Sequence, residues 1–331
     1  MEQRTLGRTG RPVSVVGLGT WQLGADWGDV SESDARTVLE ASAEHGVTFF
    51  DTADVYGDGR SERVIGQFRA AHPDARLTVA TKMGRRVDQV AGNYTAQNFR
   101  DWVDRSRRNL GTERLDLVQL HCPPSAVIDA DSTYDALDAL VANGSIAAYG
   151  VSVETCDQAL AAIARPGVAS VQIILNAMRL KPLDQVLPAA ARAGVGIIAR
   201  VPLASGLLSG RYAASTTFAP DDHRSYNRDG SAFDVGETFS GVPWETGLAA
   251  AREFSTLVAT EGSEGLTPAQ AALAWCWQQP GVTTVIPGAR NRDQAVSNAR
   301  AGEVAPLGAA FEAGVGRIYD TYVREAVHTR W

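Results

Sequence analysis

Four titratable residues stand at or just beyond the ends of apolar runs. Val47–Thr52 (VTFFDT) closes on Asp51, Leu77–Lys82 (LTVATK) on Lys82 and Leu115–His121 (LDLVQLH) on His121, and Tyr56 follows Asp51 by five residues. Burial alone would place apolar residues there. Taken singly, each has a structural reading: Asp51 caps a turn, Lys82 snorkels to the surface, His121 is a satisfied core histidine, and Tyr56 is unremarkable. Together they make a chemistry. Tyrosine titrates at about 10 and lysine at about 10.4, so neither is an efficient acid or base alone at neutral pH. An ammonium beside the phenol favours phenolate and lowers the tyrosine pKa, while a buried aspartate keeps that ammonium charged and oriented. A histidine opposite can hydrogen-bond a substrate oxygen. The set suits proton donation to a carbonyl oxygen as a hydride reaches the carbon. It supplies no electrons, so a nicotinamide cofactor is expected to bring them.

Such residues converge only if the elements carrying them are neighbours. Besides the three runs above, Val13–Gly19, Ile146–Ser152, Val171–Asn176, Gly196–Val201 and Val282–Pro287 are aliphatic with little polar alternation, the mark of parallel strands buried on both faces. Helical patterns lie between them, at Ser31–Gly46, Asn98–Leu110, Asp131–Ala142 and Thr267–Gln279, the last opening T-P-A-Q as a capped helix should. Eight strands alternating with helices predict an α/β fold, a (β/α)₈ TIM barrel formed by residues 1–331 as one domain. Its active site would lie at the C-terminal strand ends, where strands two, three and four adjoin. A doubly wound sheet competes, but Gly17-Leu-Gly19-Thr-Trp-Gln22 lacks the third glycine of a dinucleotide fingerprint, and no P-loop is present. Thr5–Ser14 reads as an N-terminal hairpin closing the barrel bottom, with turns at Gly7 and Gly10. Residues 213–242 read as a long substrate-side loop at the C-terminal face, functional or disordered.

Composition narrows the partners. At 44% hydrophobic and 21% charged the chain is an ordinary globular one. Its 331 residues suggest about two domains, a prior that barrels routinely exceed as one unit. No apolar run reaches the roughly 18 residues of a membrane helix, and Met1–Gly10 lacks the apolar core of a signal peptide. A net charge of -7 argues against nucleic acid, and the one basic cluster, Arg105–Arg108, is brief and sits on a helical pattern. Three scattered cysteines form no framework. The expectation is a cytoplasmic protein acting on a small molecule, with no metal, because His121 is the one histidine placed at a strand end.

These residues carry a resemblance. Gly17-Leu-Gly-Thr-Trp21, Phe50-Asp-Thr-Ala-Asp-Val-Tyr56-Gly-Asp-Gly-Arg-Ser-Glu62, Thr81-Lys82, Leu117-Val-Gln-Leu-His121, Gly150-Val-Ser152 and Pro202-Leu-Ala-Ser-Gly-Leu-Leu-Ser-Gly210 are similar to the aldo-keto reductase family, in order, from about residue 4 to residue 300. The resemblance implies a barrel that binds NADP(H) without a Rossmann domain. It makes Tyr56 the proton donor, has Lys82 and Asp51 tune it, and has His121 orient the carbonyl. Ser152 and Gln172 would meet the nicotinamide carboxamide, with Val153 where an Asn is common. Arg200 stands where many members stack an aromatic ring on the nicotinamide. Gly19, Thr20, Trp21 and Asp51 would line the cofactor groove, and Pro202, Leu203, Ser205, Gly206, Leu208 and Gly210 would pass beneath the pyrophosphate. Gly288 and Gln294 replace a lysine and an arginine of the better-known branch. Arg290, with Arg292 nearby, is the candidate for a 2′-phosphate, and Gln294 and Asn298 would address the adenine. Trp21, Tyr56 and His121 would face substrate, with Trp27 and Cys122-Pro123-Pro124 as further loop candidates. An alternative is a redox-sensing, cofactor-binding module with little turnover, like the channel-associated beta subunits that resemble this family.

Overall fold

Runs rich in Val, Ile and Leu, with no polar face to offer water, become the staves of a parallel barrel. The computed structural model describes residues 1–24 and 30–331. An antiparallel pair, β1 (Gln3–Thr5) and β2 (Pro12–Ser14), precedes eight strands: β3 (Leu18–Gly19), β4 (Phe49–Asp51), β5 (Thr78–Met83), β6 (Leu117–His121), β7 (Tyr149–Ser152), β8 (Val168–Ile174), β9 (Gly196–Arg200) and β10 (Val282–Val285). The strands pair parallel in sequence order, and the ring is completed by bridges from Val16 to Val285 and from Gly19 to Gly288. This is the (β/α)₈ barrel that the alternation predicts.

One expected boundary moves. Val13–Gly19 serves two sheets, since Pro12–Ser14 pairs with Gln3–Thr5 and only Leu18–Gly19 pairs with β4. The hairpin lies under the barrel, so residues of both pieces are buried, and an apolar pattern cannot mark the change of partner. Leu6 and Val13 join Phe49, Ala80, Leu117, Ile198 and Ile286 in one buried cluster that plugs the barrel interior. Helix starts follow their caps: Ser31 accepts from the Asp34 N–H, Thr95 from Asn98, and Thr267 forms a full capping box with Gln270. Thr95 places that helix start at Ala96, two residues before the expected Asn98.

Residues 213–242 are organised by their own polar side chains. Asp222 caps a short helix, His223–Tyr226. The Asn227 side-chain oxygen accepts from the N–H groups of Ala232 and Phe233 at 2.9 and 3.0 Å, and turns follow at Val235–Glu237 and Phe239–Gly241. The Trp331 indole donates to Asp234 at 3.0 Å, and the Arg179 guanidinium lies 4.1 Å over the Trp331 ring. These bonds secure the segment over the strand ends.

Gly7 shows how tightly the hairpin closes the bottom. It has a φ of +45°, and a Cβ there would fall 2.1 Å from the Ala169 carbonyl oxygen and 2.2 Å from the Gly196 nitrogen. Gly7→Ala is expected to cost roughly 2–4 kcal/mol in urea unfolding, from backbone strain and overpacking together. A loss under about 1 kcal/mol would show that the hairpin is not docked there.

Candidate active site

The parallel register brings the strand-end residues together. Lys82 sits opposite Gln119 on β6, and Asp51 opposite Ala80 on β5. The Lys82 ammonium donates to one Asp51 carboxylate oxygen in a short contact, to the Thr52 carbonyl at 3.0 Å, and reaches the Tyr56 hydroxyl at 3.4 Å. Only 2% of the Lys82 side chain and 3% of the Asp51 side chain are exposed. The other Asp51 oxygen accepts from Gln172 at 2.8 Å and Gln119 at 3.1 Å. Backbone bonds from Thr52 to Ala80 and from Asp54 to Lys82 lay the Tyr56 turn along β5. The His121 ring stands edge-on to Tyr56 with centroids 6.0 Å apart, and Trp21 lies roughly parallel to Tyr56 at 6.2 Å.

Electrostatics set the protonation states. Burial raises the Tyr56 pKa, and Asp51 and Glu237 add to the rise, so the downward pull of Lys82 is outweighed. The sequence alone predicts the opposite sign, because it shows the ammonium but not the burial of the phenol. Burial disfavours the Lys82 ammonium, but Asp51 and then Tyr56 more than offset it. Burial, followed by the charges of Arg85, Lys82 and Arg200, drives His121 well below the ordinary histidine value. The site therefore presents a phenol, an ammonium and a neutral imidazole near neutral pH. Asp54, two residues before Tyr56, is fully buried with neither carboxylate oxygen hydrogen-bonded among the described residues. Burial and the nearby Glu62 push it up to about 7.

A second group, of which only Arg200 is marked in the sequence, flanks His121. Arg85 reaches Glu154 at 3.1 Å and Glu237 at 3.4 Å, and Arg200 reaches the same carboxylates at 2.7 and 3.5 Å. Arg200 also donates to the Val153 carbonyl at 3.1 Å and lies 3.7 Å from the Cys122 sulfur. Glu154, Glu237 and Cys122 have ligand-type atoms within 4.8 Å of one another, with two guanidiniums already balancing the carboxylates. The role expected of Arg200 is a cation stacking in an aromatic's place. The structure ties it into this four-charge ring at the wall of a cleft that Tyr56 also lines, with its Nε buried and without a partner among the described residues.

A cleft of about 850 Å³ extends from Asp51, Tyr56 and Gln172 to Gly288 and Arg290, a size that suits a small-molecule or cofactor site. Gly19, Thr20, Trp21, Arg200, Pro202, Leu203, Ser205, Gly206, Gln294 and Asn298 also line it. Val201, Ala204 and Ser205 all have positive φ near +50°, strain of the order of 1–3 kcal/mol each for non-glycine residues. Gly288 presents bare backbone to the cleft beside the Gln22 amide, which also lines it. These features, with the unpartnered Arg200 Nε, fit an extended dinucleotide.

Of the residues expected at the cofactor, some lie away from the cleft and others line it while also bonding within the protein. Ser152 is not in the wall: it is buried, with its hydroxyl 3.5 Å from the Cys122 sulfur. Leu208 is packed in the core, and Gly210 is an exposed left-handed cap. Gln172 directs its amide to Asp51. Gln294 accepts from the Arg290 N–H at 2.9 Å and Asn298 donates to the Gly288 carbonyl at 3.1 Å, so both shape the turn that carries Arg290. Arg292 pairs outside with Glu44 at 2.9 Å. Trp27 lies outside the described residues. Arg224 and His223, also cleft-lining, carry no sequence signal because they lie in the 213–242 segment, which has no periodicity.

Comparison with known proteins agrees with this geometry. A sequence model described as the Aldo/keto reductase family matches residues 15–314. This chain belongs to the aldo/keto reductase family. It is 28% identical over 327 residues to a probable voltage-gated potassium channel subunit beta of Oryza sativa, covering 93% of each chain. The glycerol dehydrogenase structure from Gluconobacter oxydans matches with a TM-score of 0.77 and 30% identity, over 95% of this chain and 93% of that one. An aldo-keto reductase from Klebsiella pneumoniae, solved in complex with NADPH, matches in fold at a TM-score of 0.71 and 24% identity, over 96% of each chain. Among the described residues no helix is long and apolar enough to cross a membrane.

The buried histidines of this aldo/keto reductase give stability a pH dependence. His121 lies well below the ordinary 6.5, and burial takes His223 down to about 4. Below pH 6.5 the unfolded chain takes up protons that the folded chain refuses, so stability falls with pH, by up to about 1.4 kcal/mol per unit per histidine. Asp54, pushed up to about 7, acts in the opposite sense between pH 7 and 5 and offsets part of this slope, so the test is the difference between proteins. In urea unfolding over that range, His223→Gln is expected to lose less stability on acidification than the parent. An unchanged slope in that variant would contradict the assignment.

Proposed function

We propose that this chain reduces an aldehyde or ketone to an alcohol with NADPH. The observation that carries the reading is the Tyr56 hydroxyl held within 3.4 Å of an ammonium that is itself locked onto a buried carboxylate. When bound, the cofactor supplies a hydride to the carbonyl carbon. Tyr56 gives its proton to the carbonyl oxygen, and Lys82 stabilises the phenolate left behind. Neutral His121 donates a hydrogen bond to the same oxygen and steers its approach. Asp51 keeps Lys82 charged and in place. Pro202–Gly206 and Gly288 would run along the nucleotide, and Arg290 would pair with a 2′-phosphate.

The Klebsiella neighbour's NADPH supports the cofactor, and the Gluconobacter neighbour's glycerol points to small hydroxylated carbonyls as a first substrate panel. The rice relative's name keeps open a module that binds cofactor and scarcely turns over. Rapid multiple-turnover NADPH oxidation across a carbonyl panel favours the enzyme. Turnover slower than nucleotide exchange would favour the module.

Tyr56→Phe is expected to lower turnover at least about 100-fold, while fluorescence titration finds NADPH affinity within about threefold of the parent. Parent-like reduction rates would sink the proton-donor role. Arg290→Ala is expected to weaken NADPH binding by about tenfold or more and NADH hardly at all. Equal losses for the two nucleotides would make Arg290 a packing residue.

A further inference from the structure

The ring of Arg85, Glu154, Arg200 and Glu237 is larger than a strand-end clasp needs to be. Two of its members, Arg200 and Glu237, line the cleft beside Tyr56 and Asp51, and the Glu237 charge is felt at Tyr56. Glu237 is also strongly positioned. Its carbonyl accepts from Ser205 at 2.9 Å, its own turn is capped by Asp234, and its side chain is 13% exposed. The carboxylate is thus fixed within the low-dielectric end of the cleft, where charge counts more than it would in water.

If Tyr56 protonates a carbonyl oxygen while a hydride reaches the adjoining carbon, the nicotinamide lies at this end of the cleft. That ring is a cation when oxidised and neutral when reduced. Fixed charge nearby therefore acts on one redox state and not the other. We propose that Glu237 and Arg85, through the ring they form with Glu154 and Arg200, set the relative affinity of the site for oxidised and reduced cofactor. The inference rests on the reductase reading above and adds a function to residues outside the Tyr56–Lys82–Asp51 relay. The ring acts on the cofactor through charge alone and takes no part in moving the proton.

Sign distinguishes this from a structural role. Glu237→Gln keeps the side chain's shape and removes one negative charge, so NADP⁺ binding weakens relative to NADPH. Arg85→Gln removes one positive charge, so the same ratio moves the other way. Titrations of each nucleotide with the purified variants, followed by tryptophan fluorescence or calorimetry, read the ratio without turnover. The ratio Kd(NADP⁺)/Kd(NADPH) is expected to rise roughly tenfold in Glu237→Gln and to fall severalfold in Arg85→Gln. A tenfold change corresponds to a shift of about 30 mV in the bound two-electron couple. Both constants changing together, with the ratio fixed, would overturn the proposal and leave the ring as a clasp for the 213–242 segment. Movement of the ratio in the same direction in both variants would overturn it as well. If Glu237→Gln does not fold, the Arg85→Gln ratio decides alone. A parent protein that binds neither nucleotide would instead sink the reductase reading.

Discussion

The Lys82–Asp51 pair is the constraint around which the strand ends are arranged. Removing two charges from water costs several kcal/mol per ion, and their attraction offsets this only when the remaining donors and acceptors are satisfied. Here the Asp51 carboxylate takes Lys82, Gln119 and Gln172, from three different strands, and Lys82 also takes the Thr52 carbonyl. A pair so enclosed demands a closed barrel, because β4, β5, β6 and β8 must all converge on it. Tyr56 takes its position from the backbone bonds of Thr52 and Asp54 to β5 beside the pair.

Around that pair the barrel separates two duties. Its lower half is sealed by the hairpin and an apolar plug that includes Leu6, Val13 and Phe49, and it contributes stability. Its upper rim carries charge, strain and exposed backbone, with positive φ at Cys122, Val201, Ala204 and Ser205. The rim is stabilised from outside by residues 213–242, which bring Glu237 to the guanidiniums of Arg85 and Arg200. The rim can hold strained backbone because the plug and hairpin below are rigid.

The fold was legible because parallel strands buried on both faces read as uninterrupted aliphatic runs. Asp51, Lys82 and His121 were legible for the converse reason, as polar residues closing such runs. Gln119 was not, since a mid-strand glutamine between Leu117 and His121 carries no mark of the carboxylate it serves. Arg85, Glu154 and Glu237 lie in connections whose approach to one another is decided only by tertiary packing. The downward pull of Lys82 on the Tyr56 pKa was legible and is present, but the larger upward effect of burial was not, because a neighbouring charge is visible in sequence and the degree of burial is not. The Val13–Gly19 run hid a change of sheet for a similar reason, since both halves are buried.

The proposed proton transfer depends on the buried ammonium beside Tyr56. The most direct measurement of this is the single-turnover rate of carbonyl reduction by folded Lys82→Met saturated with NADPH. A fall of at least about 100-fold, with nucleotide affinity nearly unchanged, is the predicted result. A rate within about threefold of the parent would contradict it.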